Sequence, residues 1–95
     1  MLDKMKQLME MKKQADRIKK ELEASKVEIT DVRGIKIVID GAQSFKSIEI
    51  DSSLLENKGK LESDVLRSIN LAIRKSQEIA AQKMRSALPA GFPGL

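Results

Sequence analysis

Lys26-Val27-Glu28-Ile29-Thr30-Asp31-Val32-Arg33-Gly34-Ile35-Lys36-Ile37-Val38-Ile39-Asp40-Gly41 is the stretch on which the fold turns. Its first five residues alternate polar and apolar with period two, as a half-buried strand does. Asp31-Val32-Arg33-Gly34 supplies a turn, and Ile35 to Ile39 resumes the alternation with Ile35, Ile37 and Ile39 on one face. Asp40-Gly41 is a hairpin signal, because both residues tolerate positive φ. Downstream, Phe45 to Asp51 alternates again, with Ile48 and Ile50 inward and Ser47, Glu49 and Asp51 outward. Three strands sharing one apolar face predict an antiparallel meander covered by helix on that side only.

The chain changes character on either side of the strands. Residues 1–25 are rich in Leu, Met, Lys, Gln, Glu and Ala and hold no Gly or Pro, which predicts a helix over about 1–25. Its apolar residues follow a heptad: Met1, Leu8, Ala15 and Leu22 share one position, and Met11 and Ile18 the partner position. Leu8, Met11, Ala15, Ile18 and Leu22 are therefore the expected seam of a coiled-coil-like dimer or helix contact. Met1, Met5, Met9 and Met11 are read with that seam rather than as a pliable surface for a foreign partner. Such a helix is roughly 36 Å long. A domain this small cannot cover it alone, so part of it is expected to project or to pack on a second subunit.

After Asp51, Ser52 to Glu56 reads as a short helical turn and Asn57-Lys58-Gly59 as a loop. A second helix is predicted over about 60–87, with the acids Glu62 and Asp64 near its positive end. Leu66, Ile69, Ile73, Ala80, Met84 and Ala87 follow the helical period, widened by Val65, Ala72 and Ile79. Leu88-Pro89 should stop the helix, because the residue before proline is pushed out of the helical region. A Pro- and Gly-rich tail, 89–95, follows. The expected fold class is α+β: one αβββα domain, a three-stranded antiparallel sheet with long N- and C-terminal helices.

Composition narrows function. A chain of 95 residues buries only roughly 60–65% of its unfolded surface, and self-association is a common way to add to that. With two Phe and no Trp or Tyr, the core must be aliphatic. The absence of Cys removes disulfides and thiolate metal sites, and the absence of His removes the commonest general base and metal ligand. Asp40, Glu49 and Asp51 suggest an oxygen-ligand metal site less well than they suggest the polar face of a half-buried sheet. Ser52 and Ser53 lack a His or a nucleophile turn and read as turn or cap residues. Gly34, Gly41 and Gly59 are isolated and form no phosphate loop. No enzyme, no cofactor and no metal are expected. No stretch approaches a membrane span and residues 1–10 hold no apolar signal core, so the expected address is the cytoplasm, with no membrane partner.

The formal net charge of +4 permits nucleic-acid binding, but placement decides more than the sum. On the first helix Lys6, Lys13 and Lys20 share one heptad position, and Lys12 and Lys19 the adjacent one; Asp3, Glu10, Asp16, Glu21 and Glu23 fall on the other side of the seam. A basic ridge of this kind suits a phosphate backbone, where each neutralised phosphate releases counterions. The same ridge also suits the solvated flank of a coiled coil. The last helix adds Arg67, Arg74, Lys75, Lys83 and Arg85, some of which complement the helix dipole. No zinc finger, basic zipper or helix-turn-helix is present, and two phenylalanines make a poor stacking platform. Any DNA contact is therefore expected through the backbone. The charge map singles out Lys12, Lys13, Lys19 and Lys20 on the first helix, and Arg74, Lys75, Lys83 and Arg85 on the last.

Several short motifs in order carry a resemblance. Ile37-Val38-Ile39-Asp40-Gly41-Ala42, Ile48-Glu49-Ile50-Asp51, Ser53-Leu54-Leu55-Glu56, Leu61-Glu62 and Leu88-Pro89-Ala90-Gly91-Phe92, behind a Met-, Lys- and Gln-rich helix, resemble the YbaB/EbfC nucleoid-associated proteins. Ser52 stands where that family usually has Pro, a tight Asp31–Gly34 turn replaces its Gly-rich loop, and its Gly-rich lead-in is largely absent. The resemblance implies a tightly intertwined homodimer whose helices project like tweezer arms. It also implies binding of double-stranded DNA in the bacterial nucleoid, with effects on compaction and gene expression. It supplies no fixed base-reading residues. The competing expectation is a coiled-coil scaffold whose arms grip another protein without meaningful DNA affinity; a basic amphipathic helix on a membrane is disfavoured by acids beside the seam and by the lack of an aromatic anchor.

Overall fold

The computed structural model describes residues 2–87. Met1, the expected helix stop at Leu88-Pro89, the 89–95 tail and the Leu88–Phe92 motif lie outside the described residues. The chain runs α1 (Leu2–Ala24), β1 (Lys26–Ile29), β2 (Ile35–Asp40), β3 (Phe45–Ile50), a 3-10 turn (Ser52–Glu56) and α2 (Lys58–Ala87). The αβββα order and the antiparallel meander β1-β2-β3 are as the sequence predicts.

The strand register explains the core. Ile29 faces Ile37, and Val27 faces Ile39, so the alternating residues of β1 and β2 stack on one face. Ile48 faces Ile37 and Ile50 faces Ile35, while a bulge between Val38 and Ile39 brings Phe45 opposite Ile39. Phe45 and Ile48 are an odd number of residues apart and would alternate to opposite faces in a regular strand. The extra residue of the bulge returns both to the apolar side, where they line one groove with Ile37 and Ile69.

The sheet packs against α2 through part of the stripe the sequence favours: Ala72 lies in the core and Val65 and Ile69 pack against it. The buried residues of α2 are Ser68, Ala72 and Ser76, spaced four apart on one line. These small side chains let the helix lie close on the isoleucines of β1 and β2, and Ala72 joins Ile29, Val32, Ile35, Ile37 and Ile39 in the core. Leu66 and Met84, expected on the core face, are exposed. So are Phe45, Ile48 and Ile50: they point to the apolar side of the sheet, yet the other described residues leave them open. Val32, read as part of a turn, is buried.

Two local readings change. The positive φ of the β2–β3 hairpin falls at Gln43 (62°), not at Gly41. Gly41 is required for space instead: a Cβ there would lie 3.1 Å from the Leu22 carbonyl oxygen, the Leu22 side chain and Ile79. Asp40, read as a solvent-face carboxylate, is 1% exposed. Its Oδ1 accepts from the Ala42 and Ser44 backbone N–H groups, both at 2.9 Å, and Oδ2 faces Lys46 Nζ at 3.5 Å, an ion-pair separation beyond a good hydrogen bond. The carboxylate thus shapes the hairpin. Further on, α2 begins earlier than expected, at Lys58, because Asn57 Oδ1 accepts from the Lys60 N–H at 3.0 Å and caps the helix.

α2 is the spine of the molecule. Its N-terminal half carries the sheet and its C-terminal part carries α1, which runs antiparallel to it. Leu22 and Ile79 meet at Gly41, whereas Gln14 Nε2 donates to the Ala87 carbonyl at 2.7 Å, eight residues further along each helix. Residues 2–13 of α1 therefore continue past Ala87 for roughly 18 Å. The radius of gyration is 18.4 Å, against about 12 Å for a compact domain of this length. The extents of 65 × 22 × 16 Å describe a rod with a projecting arm.

Candidate nucleic-acid interface

The arm presents its cations to solvent. Lys12 and Lys19 are seven residues apart, as are Lys13 and Lys20, so each pair forms a stripe two turns long. α1 touches the rest of the chain through the Gln14, Ile18 and Leu22 side, where Ile18 and Leu22 are half-buried. Lys20 lies two residues from both Ile18 and Leu22, which at about 100° per residue puts it on the far side of the helix. All four lysines are exposed, and among the described residues none forms an ion pair. A long aliphatic stem with a free ammonium at its end is well suited to reach a phosphate.

The α2 cations are less uniform. Arg74 and Arg85 are exposed and, among the described residues, without an ion-pair partner. Lys75 pairs with Glu78 at 3.8 Å on the same helix. Lys83 is half-buried and shares a groove with Arg17, Ile18 and Glu21 of α1. The eight cations are not gathered into one cleft. The four of α1 line the arm and its base, and those of α2 lie along the spine. Arg17, in the midst of the α1 lysines and exposed, and Arg67, seven residues before Arg74, were not among the residues singled out by charge; counting cations by heptad position across both helices would have found them.

The expected seam divides in two. Ile18 and Leu22 are half-buried within the chain, whereas Leu8 and Met11 are each 66% exposed and Ala15 is also open. Leu2, Met5 and Met9 add further exposed apolar surface on the same arm.

A sequence model of the YbaB/EbfC DNA-binding family matches residues 1–92 of the 95, so the match takes in the arm, the sheet and the spine together. The chain belongs to the YbaB/EbfC DNA-binding family. Its members are nucleoid-associated DNA-binding proteins rather than enzymes, and a nucleoid-associated DNA-binding role is what membership assigns to this chain. The cations described here are then the natural side chains to examine for contact with DNA. Among the described residues, no helix is long and apolar enough to cross a membrane.

Proposed function

We propose that the protein grips duplex DNA in the cytoplasmic nucleoid mainly through backbone phosphates, that it does so as a homodimer, and that this grip compacts DNA and alters gene expression. The observation that carries the reading is α1: four exposed lysines, without an ion pair among the described residues, Lys12 and Lys13 on the part that continues past Ala87 and Lys19 and Lys20 at its base. Phosphate contacts of this kind fix position without reading bases, so affinity should be similar across sequences. Arg74, Lys75, Lys83 and Arg85 are the proposed contacts on α2. Arg74 and Arg85 are the better placed, since Lys75 is engaged by Glu78 and Lys83 is half-buried.

Dimerisation is supported by what the described residues leave bare. Ile48 is 50% exposed and, with Phe45, Ile37 and Ile69, lines a mostly apolar groove between β3 and α2; Leu66, elsewhere on α2, is 62% exposed. Monomeric proteins rarely expose continuous apolar surface of this kind. A second copy covering β3 and the Leu66–Met84 flank, with Leu8, Met11 and Ala15 of the arms as a further seam, accounts for it.

The test is the Lys12→Gln/Lys13→Gln/Lys19→Gln/Lys20→Gln variant in fluorescence anisotropy with duplexes of unrelated sequence. Binding should weaken on all of them alike, and the slope of log K against log salt should flatten by up to about 3.6, or roughly 0.9 per lost phosphate contact. The dimer should survive. Unchanged DNA binding would remove the arm from the mechanism.

A further inference from the structure

The cations of α2 that lie outside the α1 contact form a line of their own. Lys60, Arg67 and Arg74 follow at intervals of seven residues, and Arg85 eleven beyond, steps of about two and three helical turns. All four are exposed, and among the described residues none is in an ion pair. The interval from Lys60 to Arg85 spans roughly 38 Å of helix. Two acids of this helix border the line: Glu78, which is held by Lys75, and Asp64, four residues after Lys60 and three before Arg67, so the basic character is strongest from Arg67 onward.

Direction is the informative part. Arg74 is two residues from both Ala72 and Ser76, the buried side chains through which α2 packs on the sheet. Two residues are about 200° of rotation, so the arginine line runs along the back of the spine, away from the core and from α1. The same rotation puts Lys20 on the side of α1 that faces away from α2. The two basic surfaces of one protomer are therefore back to back, with the α1–α2 pair between them. A duplex is a rod that resists bending over such short distances, so one straight duplex lying on the arm lysines does not reach the arginine line.

We propose that Lys60, Arg67, Arg74 and Arg85 form a second DNA-backbone surface and that each protomer bridges two duplexes, one on the α1 lysines and one on the back of α2. This rests on the phosphate-gripping function proposed above and adds to it a way to compact DNA: cross-linking separate segments. A homodimer with arms alone also presents two DNA sites, so bridging by itself does not distinguish the two designs. The arginine line does.

The experiment uses the full-length protein, one duplex immobilised on beads and a second, fluorescent duplex in solution. Anisotropy measures binding to a single duplex, and bead fluorescence measures co-capture of the second. The wild type should co-capture. In the Ile48→Asp/Leu66→Asp background, where each monomer keeps a single arm, the parent should still co-capture. Adding Arg67→Gln/Arg74→Gln/Arg85→Gln to it should leave binding of one duplex and lower co-capture per bound duplex about tenfold or more as three phosphate contacts are lost. The Arg→Lys triple variant should restore co-capture, which shows that charge rather than folding is at issue. Wild-type binding to one duplex without co-capture overturns the second surface and leaves the grip standing. So does a glutamine variant that, in the monomeric background, co-captures as well as its parent. Absence of wild-type binding to any duplex overturns the grip and the bridge together.

Discussion

Ser68 and Ser76 sit on the same buried line of α2, two turns apart, yet the same substitution should affect them in opposite ways. Ser76 Oγ donates to the Asp40 carbonyl at 2.7 Å and accepts from the Gln43 N–H at 3.1 Å, so it ties the β2–β3 hairpin to the spine. The Ser68 hydroxyl is as deeply buried and has no hydrogen-bond partner among the described residues. Ser76→Ala should lower stability by about 1–3 kcal/mol, because two backbone groups lose their partner inside the fold. Ser68→Ala removes an unsatisfied hydroxyl and improves helix propensity by a few tenths of a kcal/mol, so it should be neutral or stabilising. Urea unfolding of the two variants checks this; equal losses would mean that the hairpin tie carries no weight. Asp40 belongs to the same tie. Its alternating position marks it as the end of a strand, but only the hairpin geometry reveals that its carboxylate is spent on the Ala42 and Ser44 amides.

At the scale of elements, periodicity predicted each helix and strand in the right order, and local chemistry explains where it fell short. The period of α2 admits two neighbouring stripes. A hydrophobicity count finds Val65, Ile69 and Ala72 on the packed side but wrongly adds Leu66 and Met84, and it misses Ser68 and Ser76, because close approach to a sheet of isoleucines rewards small side chains, polar ones included. Val32 was hidden inside a turn signature, and a bulge cannot be read from alternation alone. The basic ridge of α1 was legible from its spacing, whereas its relation to the α2 cations depends on how the two helices dock. The heptad of α1 likewise gave one seam where the fold makes two. Leu22→Asp should destabilise the protein by about 2 kcal/mol or more, since it puts a charge beside Gly41 and Ile79. Leu8→Asp, on the free arm, should shift the stability of the folded unit by no more than about 0.5 kcal/mol. Thermal unfolding at a concentration where the chain is monomeric separates the two; a large loss at Leu8 would show that the arm is covered by its own chain.

The whole molecule is a rod with a packed middle, a bare apolar flank and cations on opposite sides. The flank and the cations should be separable. Ile48→Asp/Leu66→Asp puts charge on apolar surface that is open in the single chain, so the protomer should stay folded while sedimentation velocity shows a shift from dimer to monomer. A variant that remains a dimer would move the interface elsewhere, with the α1 seam next in line. DNA binding by that monomer should be weaker but still dependent on salt, because each protomer keeps its own arm. The most direct test of the phosphate grip is the salt dependence of wild-type affinity, measured by anisotropy on duplexes of several unrelated sequences. Four α1 lysines per protomer predict log K falling linearly with log salt, with a slope of about −3.6 or steeper and nearly the same on every sequence. A shallow slope, or tight binding confined to one sequence and insensitive to salt, would contradict a grip on backbone phosphates.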